Sequence, residues 1–279
     1  MRTQSFGAAT RAVSVIGQGT WFLDEADRRT AVAALRHGID LGATHIDTAE
    51  MYGEAEPLVG EAIAGRRDEV FLVSKVLPSN ASRSGAPAAC ERSLRRLGTD
   101  RLDCYLLHWR GSIPLAETVE AMESLLEAGK ILSWGVSNFD VDDLDELEEI
   151  AGKERIACNQ VLYHLGERAI EHEVSGWCER NGVALVAYSP FGHDDFPEPG
   201  SAGGRTLADI AQAHDATPRQ VALAFLTRRP GHFAIPKASA AGHVAENAAA
   251  GRLVLDETEI GRIEEAFPLG RKPRHLPML

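Results

Sequence analysis

The segment THIDTAEMYGE, residues 44–54, decides how the fold of this chain is predicted. A short apolar run ends at the carboxylate of Asp47, and the phenol of Tyr52 follows five positions later, next to Gly53. An apolar run that gives way to polar residues and a glycine is typical of a buried strand that leads into a loop. Loops of this kind are where a rigid scaffold presents chemical groups. We therefore predict a strand over residues 44–47 that carries part of a functional site at its end.

The alternation of strand and helix that starts here runs through the whole sequence. Apolar or β-rich runs begin near residues 13, 44, 70, 102, 131, 157, 183 and 232, and a segment of helical periodicity follows each of them. Strands that alternate with helices pair in parallel through crossovers, and eight such units close into a barrel. We predict an α/β fold, a (β/α)8 TIM barrel that forms one domain over residues 1–279, with its first strand at residues 13–16.

Local signals locate two helix starts and one long loop. Thr217 and Asp256 each precede a helical segment, and Gln220 and Glu259 stand three residues further on, which is the pattern of a capping box. The longest irregular segment, residues 191–205, is rich in glycine, proline and aspartate. A loop of this length inside a barrel is usually functional.

Composition narrows the class of protein. The net charge of −12 argues against general binding of nucleic acid or of anionic membranes. The four cysteines lie far apart without a paired zinc-binding motif, which indicates free thiols in a reducing compartment. Neither a charged-then-apolar leader nor an apolar run of about 20 residues is present. We expect a cytoplasmic monomer that binds a small molecule and neither nucleic acid, membrane nor metal.

Polar side chains follow the predicted strands where each strand ends. They are Asp47 with Tyr52, Lys75, His108, Ser137 with Asn138, Gln160, Tyr188 with Ser189, and Lys237. In (β/α)8 barrels the C-terminal ends of the strands meet at one face, where catalytic groups gather. An ammonium near a phenol lowers the pKa of the phenol, so Lys75, held by Asp47, would tune Tyr52 as an acid. With His108 orienting the substrate, this set suits protonation of a carbonyl as a hydride arrives.

Several motifs in the same order resemble the aldo-keto reductase superfamily. They are HIDTAEMYG, FLVSK, YLLHW, GVSNF, NQVLYH, AYSP and IPKA, spread between residues 17 and 247. Within the superfamily, YLLHWRGSIPL, NQVLYHLGER and IPKA most resemble a bacterial branch that contains methylglyoxal reductases. The resemblance implies a catalytic tetrad of Asp47, Tyr52, Lys75 and His108. It also implies NADPH as the cofactor, with NADH as the alternative, and reduction of aldehydes or ketones such as methylglyoxal to alcohols.

The resemblance further implies contacts around the nicotinamide. The implied cofactor-binding residues are Gly19, Thr20, Asp47, Ser137, Asn138, Gln160, Tyr188, Ser189, Phe191, Gly192, Lys237, His243, Glu246 and Asn247, and the implied substrate-binding residues are Trp21, Tyr52, His108 and Trp109. Asn138 and Gln160 would hydrogen-bond the nicotinamide amide, and Tyr188 would stack on its ring. Phe191 and Gly192 would lie beside the pyrophosphate.

At the adenosine end the sequence departs from the family pattern. The resemblance implies that Lys237 contacts the 2′-phosphate and that Glu246 and Asn247 contact the adenine. The family usually has a serine after this lysine and an arginine six positions beyond it, and here these positions are Ala238 and His243. An arginine clamps a phosphate with a fork of donors, whereas a neutral histidine offers one. We therefore expect the preference for NADPH over NADH to be weakened.

Each candidate residue also has a structural interpretation. Asp47 and Lys75 can form a structural ion pair. Tyr52 can be an aromatic residue on the surface, and His108 can be a histidine in the core. Ser137 with Asn138 can cap the helix that starts near Asp140. Gln160 can form hydrogen bonds with backbone groups at the barrel mouth. Trp21 and Trp109 can be packing residues, and His243 can be a solvated helix residue.

Three other functions remain open at the level of sequence. One is a metal-dependent barrel hydrolase that uses His45 and Asp47 as ligands. Another is a Schiff-base lyase with Lys75 as its nucleophile. The third is a non-catalytic sensor that keeps the fold and binds the nucleotide without turnover.

Overall fold

Ten strands and the helices between them make up the computed structural model, which describes residues 1–9 and 11–279. The strands in this part of the chain are β1 Thr3–Ser5, β2 Ala12–Ser14, β3 Gln18–Gly19, β4 His45–Asp47, β5 Phe71–Val76, β6 Cys104–Leu107, β7 Trp134–Ser137, β8 Ile156–Leu162, β9 Ala184–Tyr188 and β10 His232–Ala234. Strands β3 to β10 pair in parallel and in chain order. The predicted (β/α)8 barrel is confirmed.

The first barrel strand is not where the sequence predicts it. Residues 12–14 form β2, which pairs antiparallel with β1. Ile16 already forms a parallel bridge to Ala234 of β10, but the barrel strand β3 begins only at Gln18. Phe6 and Val13 from this hairpin region are buried against the inward-facing side chains of the barrel strands. The start of the predicted run is therefore apolar because it covers one end of the barrel, whereas its end pairs with β10. Local periodicity does not separate these two roles.

Hydrogen bonds between the first and last barrel strands close the sheet. The amides of Gly17 and Gly19 donate to the carbonyls of Ala234 and Pro236 at 2.8 and 3.1 Å. A Cβ atom at Gly19 would lie 2.5 Å from the carbonyl oxygen of Ile235. Only glycine permits this approach, so the closing seam depends on the residue type at position 19.

Helices cover the outside of the barrel. Their bounds are α1 Arg28–Asp40, α2 Ala55–Ile63, α3 Gly85–Leu97, α4 Leu115–Glu127, α5 Val141–Ala151, α6 Val174–Asn181, α7 Ala202–Ala213, α8 Pro218–Leu226, α9 Ala241–Ala250 and α10 Glu257–Ala266. Both predicted capping boxes are present, at Thr217 and Asp256. The predicted loop over residues 191–205 is too long, because helix α7 begins within it, at Ala202. The side chain of Ser201 caps this helix by accepting from the amide of Gly204.

None of the helices formed by residues 1–9 and 11–279 is both long and apolar enough to cross a membrane. The single-domain organisation, the monomeric state and the cytoplasmic location stay predictions.

His45 is a polar side chain in the apolar interior of the barrel. It is fully buried, and its ring centroid lies 5.5, 5.8 and 6.3 Å from those of Phe6, Phe71 and Phe233. Neither ring nitrogen has a hydrogen-bond partner among the described residues. Burial, and secondarily the charge of Lys75, lower the pKa of His45 to about 3. The ring is therefore neutral in the folded protein.

This burial predicts a loss of stability in acid. The unfolded chain protonates His45 below its ordinary pKa of 6.5, whereas the folded protein resists protonation down to about pH 3, so acid favours unfolding. The contribution from this one group between about pH 7 and about pH 5 is roughly 2 kcal/mol. In urea titrations, the unfolding free energy of His45→Leu should therefore decrease less between about pH 7 and about pH 5 than that of the wild type. The difference should be about 2 kcal/mol.

The matched control is His275→Leu, which removes an exposed histidine from the C-terminal tail. Its unfolding free energy should decrease as much as that of the wild type when the pH is lowered from about 7 to about 5. An equal fall in His45→Leu and the wild type would show that His45 does not resist protonation in the folded state.

Candidate active site

The centre of the site is a buried ion pair between β4 and β5. Lys75 Nζ lies 2.5 Å from Asp47 Oδ1, and both side chains are essentially inaccessible to solvent. The ammonium also donates to the carbonyl of Thr48 at 2.9 Å and to the hydroxyl of Tyr52 at 3.3 Å. Asp47 Oδ2 accepts from the side-chain amide of Gln160 at 2.7 Å. Every donor of the ammonium and both carboxylate oxygens are thus engaged, which burial of charge requires.

The pKa of Lys75 follows from these contacts. Burial lowers this pKa, but the carboxylate of Asp47 and the oxygen of Tyr52 raise it by a larger amount, so the net shift is upward. Lys75 is therefore held as an ammonium. A Schiff-base nucleophile must be a neutral amine, so this environment argues against the lyase alternative.

A tight turn after β4 positions Tyr52. The amide of Tyr52 donates to the carbonyl of Ala49, and Gly53 has a left-handed backbone with φ of 50°. A Cβ atom at Gly53 would lie 2.2 Å from Asp24 Oδ2, the atom that accepts from the amide of Glu54 at 3.0 Å. Two constraints therefore require glycine at position 53: the left-handed backbone and the close approach of the Asp24 carboxylate. The turn directs the phenol over the ion pair.

The net pKa shift of Tyr52 differs from the prediction. Burial raises the pKa of the phenol, the charge of Lys75 lowers it, and the carboxylate of Asp47 raises it again. The net direction is upward, so the predicted net lowering is wrong. Loss of hydration disfavours the phenolate more than one ammonium stabilises it. Tyr52 is accordingly a protonated phenol at neutral pH.

His108 completes the group of four. Its Nε2 lies 3.5 Å from the hydroxyl of Tyr52, and burial, followed by the charge of Lys75, lowers its pKa to about 2. Nδ1 is buried and has no partner among the described residues. A buried donor without an acceptor is costly, so we assign the proton to Nε2, where it faces Tyr52. The structure brings together the four side chains that the resemblance names as a tetrad.

Amides and hydroxyls from β7, β8 and β9 surround this group. Ser137 donates to the carbonyl of Gln160 at 2.8 Å, and Asn138 donates to the carbonyl of His108 at 3.2 Å. The hydroxyl of Tyr188 donates to Asn138 Oδ1 at 2.9 Å. Helix α5 is capped by Asp140 instead, so the capping role considered for Ser137 and Asn138 is not observed.

Backbone strain is concentrated at the same mouth of the barrel. Phe22, Asn138 and Ser189 have left-handed backbones, with φ of 58°, 62° and 46°. Residues other than glycine adopt this conformation at a cost, and such residues cluster at functional sites.

Two cavities meet at Tyr52. The larger has a volume of about 500 Å³, and its lining includes Gly19, Thr20, Ser189, Phe191, Gly192 and Lys237. The smaller has a volume of about 180 Å³, and its lining includes His108, Trp109, Ser137 and Asn138. Trp21, Tyr52, Gln160 and Tyr188 line both. The predicted residues from the barrel mouth therefore surround one divided cleft.

The predicted residues of α9 lie apart from these two cavities. Glu246 lines a separate cavity of about 350 Å³ and accepts from the hydroxyl of Thr217 at 2.6 Å. Asn247 is largely buried and lines a small crevice beside Ala238. His243 is exposed in the first turn of α9, which agrees with its interpretation as a solvated helix residue.

The sequence does not predict some of the residues that line the cleft. Met51 and the tail residues Met278 and Leu279 line the smaller cavity, and the amide of Leu279 donates to the hydroxyl of Tyr188 at 3.3 Å. His193 lines the larger cavity, with its ring centroid 6.0 Å from that of Trp21. Loop and tail conformations bring these residues to the cleft, and periodicity carries no signal for them.

The metal-hydrolase alternative required His45 as a ligand. That ring is enclosed by aromatic side chains. Among residues 1–9 and 11–279, no three histidine, cysteine, aspartate or glutamate side chains are arranged to hold a metal ion.

Comparison with known proteins shows the family to which the chain belongs. The sequence model of the Aldo/keto reductase family matches residues 15–267. The chain belongs to the aldo/keto reductase family. Methylglyoxal reductase YeaE from Escherichia coli strain K12 is 47% identical to this aldo/keto reductase over 272 residues, 96% of each chain. The resemblance to a bacterial branch that contains methylglyoxal reductases is thereby confirmed.

Solved structures of other family members share the fold. Aldo/keto reductase from Klebsiella pneumoniae, in complex with NADP and acetate, superimposes with a TM-score of 0.94 at 46% identity, covering 100% of both chains. A structure of aldo-keto reductase from the same organism, in complex with NADPH, has a TM-score of 0.93 at 47% identity and the same coverage. This aldo/keto reductase therefore has the family barrel over its whole length.

Proposed function

We propose that this aldo/keto reductase uses NADPH to reduce aldehydes and ketones to alcohols, and that Tyr52 donates the proton. The observation that supports this most is the position of the Tyr52 hydroxyl. It lies 3.3 Å from Lys75 Nζ and 3.5 Å from His108 Nε2, where the two cavities meet. One cavity is suited to a cofactor and the other to a substrate.

The residues of the larger cavity fit a nicotinamide cofactor. Gln160 uses its amide nitrogen to hold Asp47, and its amide oxygen forms no hydrogen bond within the described residues, so that oxygen can accept from a carboxamide. Thr20 and Ser189 line the same cavity, and Lys237 places a cation in its wall. When bound, NADPH supplies the hydride. The relatives solved with NADP and NADPH support this choice of cofactor.

The remaining chemistry is proton transfer. Because the pKa of Tyr52 is raised, its phenol is protonated at neutral pH and can donate to an oxygen that becomes an alkoxide. The ammonium of Lys75 then stabilises the phenolate that remains, and Asp47 holds the ammonium in position. Neutral His108 donates from Nε2 to the same substrate oxygen and orients it.

The smaller cavity favours an apolar substituent on the carbonyl. Trp21, Met51, Trp109, Met278 and Leu279 are five of its eleven lining residues, and its accessible surface is mainly apolar. No lysine, arginine, aspartate or glutamate side chain of the described residues lines it. A charged substituent would lose hydration there without gaining a partner, whereas an apolar one gains burial.

Substitution of Tyr52 by phenylalanine tests the proton donor. Tyr52→Phe should bind NADPH with the affinity of the wild type but lose at least about 100-fold in kcat, because the acid contributes on this order. NADPH oxidation with methylglyoxal gives kcat, and fluorescence titration gives the affinity. Full turnover by Tyr52→Phe would overturn the proposed role, and absence of turnover by the wild type with every carbonyl tested would favour the sensor alternative.

Two α-dicarbonyls that share the reacting aldehyde test the proposed pocket. Phenylglyoxal should have a kcat/KM about 10-fold above that of methylglyoxal, about 1.4 kcal/mol, because its ring contacts the apolar wall that a methyl group does not fill. Oxidation of NADPH and of NADH should be followed for both substrates. A kcat/KM for methylglyoxal that equals or exceeds that for phenylglyoxal would contradict this assignment of the smaller cavity.

A further inference from the structure

A cation lies against two neighbouring aromatic rings beside the proposed cofactor cleft. The guanidinium carbon of Arg219 is 5.4 Å from the ring centroid of Phe191 and 4.7 Å from that of Phe196. The two rings pack edge to face, with their centroids 5.8 Å apart. Phe191 and Phe196 belong to the long loop after β9, and Arg219 belongs to the first turn of α8. We call these three residues the Phe–Arg–Phe cluster.

The Phe–Arg–Phe cluster separates two cavities. Phe191 lines the cavity of about 500 Å³ that reaches Tyr52. Phe196 and Arg219 line the cavity of about 350 Å³ that contains Glu246. A ligand that extends from one cavity into the other across this cluster passes the guanidinium of Arg219.

The guanidinium of Arg219 is not engaged by the protein. Among the residues that the structure describes, it forms no ion pair and no hydrogen bond, although many other arginines of this acidic protein pair with a carboxylate. The exposed guanidinium contacts the two rings, and its N–H groups are left free. A positioned guanidinium with free donors is suited to a phosphate, whose oxygens accept its fork of hydrogen bonds.

We propose that Arg219 binds the pyrophosphate of the dinucleotide. This inference rests on the proposed function, in which the nicotinamide lies beside Tyr52, and on the contact between Glu246 and the adenine that the family resemblance implies. The pyrophosphate is the anionic group midway between those two ends of the molecule. Arg219 lines the second cavity next to Phe196, whose ring packs against Phe191 of the first cavity, whereas Lys237 lines only the first.

This position makes a clear prediction about cofactor choice. A contact with the pyrophosphate is shared by NADPH and NADH, whereas a contact with the 2′-phosphate serves NADPH alone. Arg219 would therefore strengthen the binding of both cofactors, and the weakened preference expected from Ala238 and His243 would remain.

Fluorescence titration of NADPH and NADH against Arg219→Ala tests the proposal. The Kd of both cofactors should rise by about 10-fold and by the same factor, while kcat at saturating NADPH should change little. Arg219→Lys should recover part of the loss, because it keeps the charge without the planar fork. Phe191→Ala keeps the arginine but removes one of the two rings that it contacts. This variant should raise the Kd of both cofactors to a smaller extent.

The matched control is Arg95→Ala, which removes an exposed arginine from α3 and should leave both Kd values unchanged. If Arg219→Ala raises the Kd of NADPH alone, the contact is with the 2′-phosphate and the proposal is wrong. If both Kd values stay within about twofold in a variant that melts like the wild type, Arg219 binds no part of the cofactor. Failure of the wild type to bind either cofactor would instead overturn the proposed function.

Discussion

The buried charge of Lys75 is the constraint on which the site depends. An ammonium that is entirely removed from water must be compensated by charge and by hydrogen bonds, and these come from Asp47, Thr48 and Tyr52. Asp47 ends β4 and Lys75 lies in β5, so the ion pair joins two neighbouring barrel strands. The Asp47 carboxylate in turn fixes the amide of Gln160 on β8. One interaction thus orders groups from three strands and leaves the phenol above them.

The same constraint explains how neutral and charged groups can work side by side. Burial and the ammonium together keep His108 neutral, burial keeps Tyr52 protonated despite the ammonium, and the carboxylate of Asp47 keeps Lys75 charged. The site therefore holds two neutral donors next to a fixed positive charge. That combination suits a reaction in which negative charge develops on a carbonyl oxygen and then moves to the phenol.

Much of this could be predicted because parallel topology converts sequence order into proximity. Asp47, Lys75 and His108 each follow an apolar run, and the barrel then requires those positions to meet at one mouth. The net pKa of Tyr52 could not be predicted, because it depends on how deeply packing buries the phenol. The first barrel strand was partly misplaced for a similar reason, since Val13 is apolar through contact with the barrel interior, and pairing with β10 begins only towards Ile16. Residues such as Met278 and Arg219 reach the cleft from the tail and from α8, and no local pattern announces them.

The most direct test of this account is a measurement of how Lys75 acts on Tyr52. The chain has four tyrosines, so ¹³C labelling of the tyrosine ring gives few signals, and Tyr52→Phe assigns the one required. Alkaline titration of that signal should be compared in the wild type and in Lys75→Met, within the range where both stay folded. Removal of the ammonium should move the titration of Tyr52 to higher pH, because the charge of Lys75 stabilises the phenolate. A titration that is unchanged or moves to lower pH would contradict the coupling on which the proposed mechanism depends.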